Sequence, residues 1–451
     1  MPADRASRVD APPSFVLIHV APTADVAAID ERLQTLVTGD GSVLFALNDG
    51  WYAISRAPGK ELRVSQGGNN DALATFLGGI PGIDGVSLVP ADELVRRYED
   101  RGPNPAGVAD GRPNPSMLWN LDTVRARQAW ALLGGIDNIN WGSVRVGHLD
   151  TGYTEHEVFG PWTNGFSPSL LPQIGINTFD GWQGTMDPLS PKGTPGHGTR
   201  TCSVLTGRLD NVFLGVAPRV PVVPYRVTDF VVIDTLGWQN RMGESINHAV
   251  LDGGCTILSI SLGDPCYAPT EMGQAVDDAY ERGVIIVAAA GNYTSEVTYP
   301  GRYSRTIAAG GITKRDEPWS GGSRGISVDL CAPAADVWRA DPSRNNDGSV
   351  ATSRYGGTGD GTSYATVHVS GAAALWKAHH GSRLDELYAA RPWQYVEAFR
   401  KLIRSTARKP AGWNDKLFGA GILDIEALLK APLPNPDTLV KQDRLAALEH
   451  F

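Results

Sequence analysis

Residues 144–152 read Val-Arg-Val-Gly-His-Leu-Asp-Thr-Gly, an apolar, β-branched run that ends at Asp150. Such a run is typical of a buried strand. Parallel sheets place their functional sites at the carboxyl ends of their strands. The segment therefore predicts a buried strand whose last side chain, Asp150, lies at a functional edge; a turn or capping aspartate is the alternative.

Similar apolar runs recur along the chain and alternate with segments of helical spacing. The predicted strands are 144–149, 220–226, 256–262 and 284–289, and the predicted helices are 197–205, 242–251, 272–282 and 363–377. This alternation favours the α/β class, with a mostly parallel sheet covered by helices on both faces.

The residues before this region predict a separate, smaller module. Apolar strand patterns at 15–20, 43–55 and 85–89 alternate with helical spacing at 25–37 and 70–77, which indicates a small α+β domain over 14–97. Gly, Pro, Asn and Asp dominate residues 100–115, which is typical of an exposed linker. The predicted organisation is a tail (1–13), the α+β domain (14–97), a linker (98–116), the main domain (117–432) and a polar tail (433–451).

Composition excludes several classes of protein. The 451 residues are 42% hydrophobic and 20% charged, without a long apolar run, which disfavours disordered, coiled-coil and membrane-spanning chains. The net charge of −9 disfavours partners such as nucleic acid and anionic membranes. Four cysteines are too few for a disulfide framework, and the first residues do not resemble a signal peptide. We therefore expect a cytoplasmic protein with free thiols, with export by a non-classical route left open.

Three segments join a reactive side chain to glycines at the end of a predicted element. They are Asp150 after its strand, His197 between two glycines at a helix start, and Ser363 at the start of a helix behind the Gly-rich turn 359–362. Each alone is more often a cap or a structural residue. Together they supply a hydroxyl nucleophile, a base to take its proton and a carboxylate to hold the base.

These motifs, VGHLDTG, GHGTRT and GTSYATVHVSG, resemble those of the subtilisin-like serine proteases, the subtilases, in which the order is Asp, His, Ser. The resemblance runs from about 117 to 429 and implies a three-layer subtilisin-like domain. The run 287–292, Val-Ala-Ala-Ala-Gly-Asn, resembles the family's oxyanion motif, so Asn292 is expected to stabilise the oxyanion with the backbone N–H of Ser363. By resemblance, the N-terminal module is a propeptide that inhibits its own enzyme.

The resemblance also implies where a peptide substrate binds. Ser261, Leu262 and Gly263 would pair with an extended peptide, and Ala289 and Gly291 would form the other wall of the first specificity pocket. Thr298 would form the base of the pocket, where the family often has glycine, and would disfavour large aromatic side chains. Asp264 at the rim would favour a basic one.

The sequence departs from the family at two positions of the histidine motif, Arg200 and Cys202, and at two positions of the serine motif, Tyr364 and Val367. Arg200 is expected to face solvent, with a cation placed near His197 as the alternative. Cys202 is expected to be a buried thiol, with sensitivity to thiol reagents as the alternative. The resemblance implies chemistry that requires no cofactor. The loop 207–211 is shorter than the family's usual calcium loop, so a strong site is not expected; the candidate ligands are Asp180, Asp187, Asp210 and Asn211.

The sequence thus predicts a serine endopeptidase made as a zymogen, acting on protein or peptide substrates through an acyl-enzyme. Two alternatives remain. An amine could replace water, which would make the protein a peptide ligase or macrocyclase. Alternatively, the N-terminal module could permanently plug a silent cleft, which would make it a binding or regulatory protein.

Overall fold

The computed structural model describes the larger C-terminal part of the chain almost continuously and parts of the N-terminal module. The described residues are 14–21, 23–25, 28–29, 31–33, 43–46, 51–55, 77–90, 115–162, 167–181, 184–190, 194–231, 236–264, 271–292, 294, 296–345, 347–355 and 358–443.

Strands and helices are numbered here in chain order. The strands are β1 (Ser14–Val20), β2 (Val43–Ala46), β3 (Trp51–Ser55), β4 (Ile83–Pro90), β5 (Val146–Asp150), β6 (Arg208–Leu209), β7 (Val212–Phe213), β8 (Val222–Arg226), β9 (Ile257–Ile260), β10 (Ile285–Ala289), β11 (Ile307–Ile312), β12 (Leu330–Pro333), β13 (Val337–Trp338), β14 (Ser343–Arg344), β15 (Val350–Ala351) and β16 (Thr358–Gly359). The helices are α1 (Trp119–Thr123), α2 (Ala126–Leu132), α3 (His197–Thr206), α4 (Leu236–Leu251), α5 (Glu271–Glu281), α6 (Thr362–His380), α7 (Ser382–Tyr388), α8 (Trp393–Thr406), α9 (Asp415–Phe418) and α10 (Ile425–Lys430). Short 3₁₀ helices lie at Pro115–Met117, Ile136–Asn138, Glu157–Phe159 and Pro436–Thr438.

A six-stranded parallel sheet of order β12-β11-β10-β9-β5-β8 forms the centre of the larger domain. Side chains alternate across it, as strand geometry requires. Ile285 and Val287 join a core cluster with α3 and α6, whereas Ile286 and Ala288 join a second cluster with α4 and α5. Both faces are therefore covered, and the predicted three-layer α/β fold is confirmed.

The described part of the N-terminal module contains an antiparallel sheet of order β2-β3-β1-β4. Its core includes Val16, Ile18 and Ile54. The prediction of one strand over 43–55 was wrong: β2 and β3 pair antiparallel. The intervening sequence contains Asp49-Gly50, a dipeptide that favours tight hairpin turns. In the predicted helix 25–37, residues 28–29 and 31–33 are helical and residue 25 is not; in the predicted helix 70–77, residue 77 is helical. The other residues of both segments lie outside the described residues.

The C-terminal segment follows the outside of α8. Tyr388 Oη donates to the Pro434 carbonyl at 2.7 Å, and Gln394 Nε2 donates to the Pro436 carbonyl at 2.8 Å. Arg305 donates to the carbonyls of Gln442 and Asp443. Residues 433–443 are thereby fastened to the larger domain. Within the described parts of the chain, no helix has the length and apolarity needed to span a membrane.

Candidate active site

Asp150, His197 and Ser363 meet at the carboxyl edge of the parallel sheet. Asp150 ends β5, His197 begins α3 and Ser363 is the second residue of α6. His197 Nδ1 donates to Asp150 Oδ1 at 2.7 Å, and His197 Nε2 lies 3.3 Å from Ser363 Oγ. All three residues are buried. The three residues form one connected chain in the predicted order.

The local electrostatics keep Asp150 ionised. Burial alone would raise the pKa of this carboxyl, but the His197 ring and the Thr151 N–H, which donates at 2.7 Å, hold the pKa below its usual value. An ionised carboxylate is the form that accepts from His197 Nδ1–H and fixes the tautomer with Nε2 open toward the serine.

Asp187 connects β5, which carries Asp150, with α3, which carries His197. Its Oδ2 accepts from Thr151 Oγ1 and from the Gly196 N–H, both at 2.8 Å. Thr151 Oγ1 in turn accepts from the N–H of Gly198 at 3.0 Å. The end of β5 and the start of α3 are thus tied together beside the site.

Asn292 follows β10 and is held by the residue before Ser363. Its Oδ1 accepts from the N–H of Thr362 at 2.9 Å and from the Thr362 hydroxyl at 2.8 Å. A Cβ placed on Gly361 would stand 3.5 Å from Asn292 Nδ2 and 3.7 Å from the Ser363 nitrogen. The missing side chain of Gly361 therefore leaves a space that both nitrogens border.

A small cavity of about 50 Å³ opens beside Ser363. Its lining contains all six predicted substrate-binding residues: Ser261, Leu262, Gly263, Ala289, Gly291 and Thr298. A Cβ on Gly263 would stand 2.5 Å from Thr298 Oγ1, and one on Gly291 would stand 2.8 Å from Thr298 Cγ2. Thr298 thus fills the space between the two glycines and narrows the cavity.

Two of the residues predicted to pair with a peptide substrate, Ser261 and Gly263, already have hydrogen-bond partners within the protein. The N–H of Gly263 donates to the Val231 carbonyl at 3.1 Å, and Val231 also lines the cavity. On the other side, Ser363 Oγ lies 3.3 Å from the Ser261 carbonyl. A bound peptide would have to exchange these contacts for its own.

Two expectations about side chains near the site were wrong. Asp264 is fully buried and accepts from Gln239 Nε2 at 2.7 Å, so it is not an exposed carboxylate at the pocket rim. Arg200 is 7% exposed and donates to the Pro195 carbonyl at 2.7 Å instead of facing solvent. In both cases the partner that draws the side chain inward is a polar group that local spacing does not indicate.

The other departures from the family pattern are buried. Cys202, Tyr364 and Val367 are each less than 5% exposed. Burial raises the pKa of the Cys202 thiol, and the Asp150 charge raises it further. Cys202 is therefore a buried, protonated thiol.

The candidate calcium ligands do not form a common site. Asp180 accepts from Arg226 at 3.0 Å, and Asp187 accepts from the donors described above. Asp210 and Asn211 lie at the exposed turn between β6 and β7. In the described ranges, no group of three or more His, Cys, Asp or Glu side chains could hold a metal ion.

Sequence reasoning missed two contributors to the site. Thr362 anchors Asn292, and Asp187 was considered only as a metal ligand. The signal for Thr362 was its place directly before Ser363, where a hydroxyl is part of the motif. No comparable signal marked Asp187, because its partners come from two distant segments.

Comparison with known proteins agrees with this geometry. The model of the subtilase family of peptidases matches residues 142–421. The chain belongs to the subtilase family. Among subtilases, the major intracellular serine protease of Bacillus subtilis (strain 168) is 31% identical over 323 residues, which cover 68% of this chain and 87% of that protein. Subtilisin BL of Lederbergia lenta is 29% identical over 314 residues, which cover 69% of this chain and 98% of that protein.

Solved structures show the same fold. MycP1 from Mycobacterium smegmatis superposes on this chain with a TM-score of 0.54 at 22% identity. The superposition covers 76% of this chain and 91% of the MycP1 chain. The fold agrees with these structures, and the family match confirms the resemblance expected from the motifs.

Proposed function

We propose that this subtilase is a serine endopeptidase in which His197 takes the proton of Ser363 as the hydroxyl attacks the scissile carbonyl. Asp150 orients His197 and stabilises its cation. Collapse of the tetrahedral intermediate releases the amine, which takes the proton from His197, and leaves an acyl-enzyme. Water then hydrolyses the ester with His197 again as base. The hydrogen-bonded chain from Asp150 through His197 to Ser363 carries this proposal.

The proposed oxyanion donors are Asn292 Nδ2 and the N–H of Ser363, which border the space left by Gly361. Because Thr362 holds Asn292 Oδ1, the other end of the amide is left as the donor. Such fixed donors are effective because they need no reorganisation when negative charge develops.

Substrate binding is proposed to activate the serine. The Ser363 hydroxyl has one proton and two acceptors at 3.3 Å, His197 Nε2 and the Ser261 carbonyl. A peptide N–H that donates to the Ser261 carbonyl would compete for this acceptor and favour the bond to His197. The substrate's own carbonyl would replace that of Val231 on Gly263, so one hydrogen bond replaces another.

The pocket supports a preference for small side chains at the residue before the scissile bond. Thr298 occupies the space between Gly263 and Gly291, and the remaining cavity is about 50 Å³. An aromatic ring would have to displace Thr298. We therefore propose alanine- or serine-like residues at this position.

The N-terminal module is proposed to be an inhibitory propeptide. Its described residues form a sheet and a core of their own, and the sequence between it and the larger domain is rich in Gly and Pro. A separate small domain joined by such a linker is suited to removal by one cut.

A covalent probe and a protein substrate test the proposed peptidase activity. Wild type and Ser363→Ala are incubated with a fluorophosphonate and, separately, with casein in the presence of EDTA. We expect labelling and hydrolysis by wild type only, and no effect of EDTA on the initial rate, because every proposed step uses protein groups. Equal labelling of both proteins would contradict the assignment of Ser363.

A further inference from the structure

A second histidine lies against the carboxylate that holds His197. His148 is two residues before Asp150 on β5, so the two side chains share one face of the sheet. Its Nε2 lies 3.8 Å from Asp150 Oδ2, whereas His197 Nδ1 binds Oδ1. His148 and Asp150 are 1% and 0% exposed. Two buried histidines therefore approach opposite oxygens of one carboxylate.

Thr201 connects His148 to that oxygen. It lies one turn after His197 on α3, and its Oγ1 is 3.1 Å from His148 Nε2 and 3.4 Å from Asp150 Oδ2. The same hydroxyl is also 3.1 Å from the His197 carbonyl and 3.2 Å from the Gly198 carbonyl. It thus has four polar neighbours.

The numbers of donors and acceptors around Thr201 Oγ1 decide which group donates in this cluster. Three of the four neighbours, the carboxylate and the two carbonyls, can only accept, and the hydroxyl has a single proton to donate. If the hydroxyl donated to His148, it would face three acceptor oxygens with no proton for any of them. If His148 Nε2–H donates instead, the hydroxyl proton is available for Asp150 Oδ2 or a carbonyl. We assign the Nε2–H tautomer to His148 on this ground.

The groups around His148 favour a neutral ring. Its neighbours in the sheet register are Pro224 and Ser259, which carry no charge. The charged groups that act on it are Asp150 on its own strand and His197 on α3. Burial lowers the pKa of His148, the Asp150 charge opposes this and the His197 charge adds to it. A neutral ring can donate without adding a buried charge.

We infer that His148 is a positioning residue that acts through Thr201 on the second oxygen of Asp150. This inference rests on the peptidase function proposed above. The donor chain sets the plane of the carboxylate and reduces its basicity toward His197. Without it, the carboxylate would bind the His197 cation more strongly, and His197 would act as a base only at higher pH.

The test compares variants of the full chain in peptide hydrolysis across pH. His148→Val and Thr201→Val each remove one link, and the double variant removes both; His148→Gln and Thr201→Ser retain a donor and a hydroxyl. Thr206→Val is the matched control, because it deletes another buried hydroxyl of α3, which donates to the Val220 carbonyl at 3.0 Å away from Asp150.

We expect each valine variant to lower kcat about tenfold with KM nearly unchanged, because the Asp150 carboxylate loses the donor that sets its plane and His197 is oriented less well. The acidic limb of kcat/KM should move to higher pH in both. The kcat of the double variant should be no lower than that of the less active single variant, because the two substitutions interrupt the same hydrogen-bonded chain. The Gln and Ser variants should recover most of kcat, and Thr206→Val should leave the acidic limb in place.

An unchanged acidic limb in Thr201→Val, or fully multiplicative losses in the double variant, would overturn the inference. Thr201→Val is nearly isosteric, so it decides the matter even if His148→Val does not fold. If wild type hydrolyses no peptide, the peptidase proposal fails separately. In that case the downfield NMR resonance of the His197 Nδ1 proton tests the inference. The resonance should shift in Thr201→Val and stay in place in Thr206→Val. An unshifted resonance in Thr201→Val would overturn the inference.

Discussion

Thr362 holds Asn292 by two hydrogen bonds, from its backbone N–H at 2.9 Å and its hydroxyl at 2.8 Å, both to Oδ1. The residue directly before the proposed nucleophile therefore orients the proposed oxyanion donor. The proposed attack by Ser363 and the proposed stabilisation of the resulting negative charge are thus linked through a single peptide unit.

Replacing Asn292 by alanine should lower kcat about 10²- to 10³-fold with little change in KM, because the donor acts mainly on the transition state. Thr362→Val should have a smaller effect, since it removes one of the two bonds that orient the amide. Steady-state kinetics on a single peptide measures both. An unchanged midpoint of urea unfolding serves as the folding control, and a kcat within twofold of wild type in Asn292→Ala would contradict the assignment.

Substitution of Thr298 by glycine should widen the specificity pocket. The ratio of kcat/KM for phenylalanine over alanine before the scissile bond should rise about tenfold or more, as for other changes of pocket size. Thr298→Ser, which removes only the methyl group, should fall between the two. A matched pair of peptides measures the ratio, and the same ratio in all three proteins would show that Thr298 does not limit the pocket.

Two buried histidines should make folding stability depend on pH. Burial lowers the pKa of both His156 and His368 to about 4, from 6.5. Between pH 6.5 and 4 the unfolded chain therefore binds protons at these histidines that the folded chain does not bind. Their contribution to the free energy of unfolding is fully present above pH 6.5 and is lost as the pH falls toward 4. Each histidine should account for a loss of about 3 kcal/mol over this range.

Urea unfolding of the inactive Ser363→Ala chain at several pH values measures this loss without self-cleavage. Adding His368→Gln should flatten the decline between pH 6.5 and 4, and adding His156→Gln as well should flatten it further. A decline of the same steepness in all three proteins would show that other groups cause it.

The proposed propeptide predicts self-processing. Intact mass spectrometry of purified wild type should show a cut between residues 97 and 117, and Ser363→Ala expressed alongside should remain whole. If both chains stay intact, the N-terminal module is a retained domain. A cut in both would identify a host protease as the cause.

Local sequence was sufficient for the main features of this protein. Asp150, His197 and Ser363 each lie in a short motif flanked by glycine, so these candidate catalytic residues could be identified without knowledge of distant contacts. The buried strands β5, β8, β9 and β10 have strong apolar patterns and were predicted to within a few residues.

Features that depend on distant partners could not be predicted in this way. Strand β11 contains Gly310 and Gly311, which weaken the strand pattern, so local spacing predicts no strand there. Asp264 is buried because Gln239 reaches it from α4. Thr201 and His148 are 53 residues apart in sequence, so only the packing of α3 on β5 reveals their contact.

The most direct test of the central claim is the rate at which wild type and Ser363→Ala hydrolyse one internally quenched peptide with alanine before the scissile bond. Product masses should be read in the same assay. We predict hydrolysis products from wild type and a rate at least about 10³-fold lower for Ser363→Ala, since the nucleophile is lost while the donors and the pocket remain. Equal rates, or no cleavage by wild type freed of residues 1–116, would contradict the account.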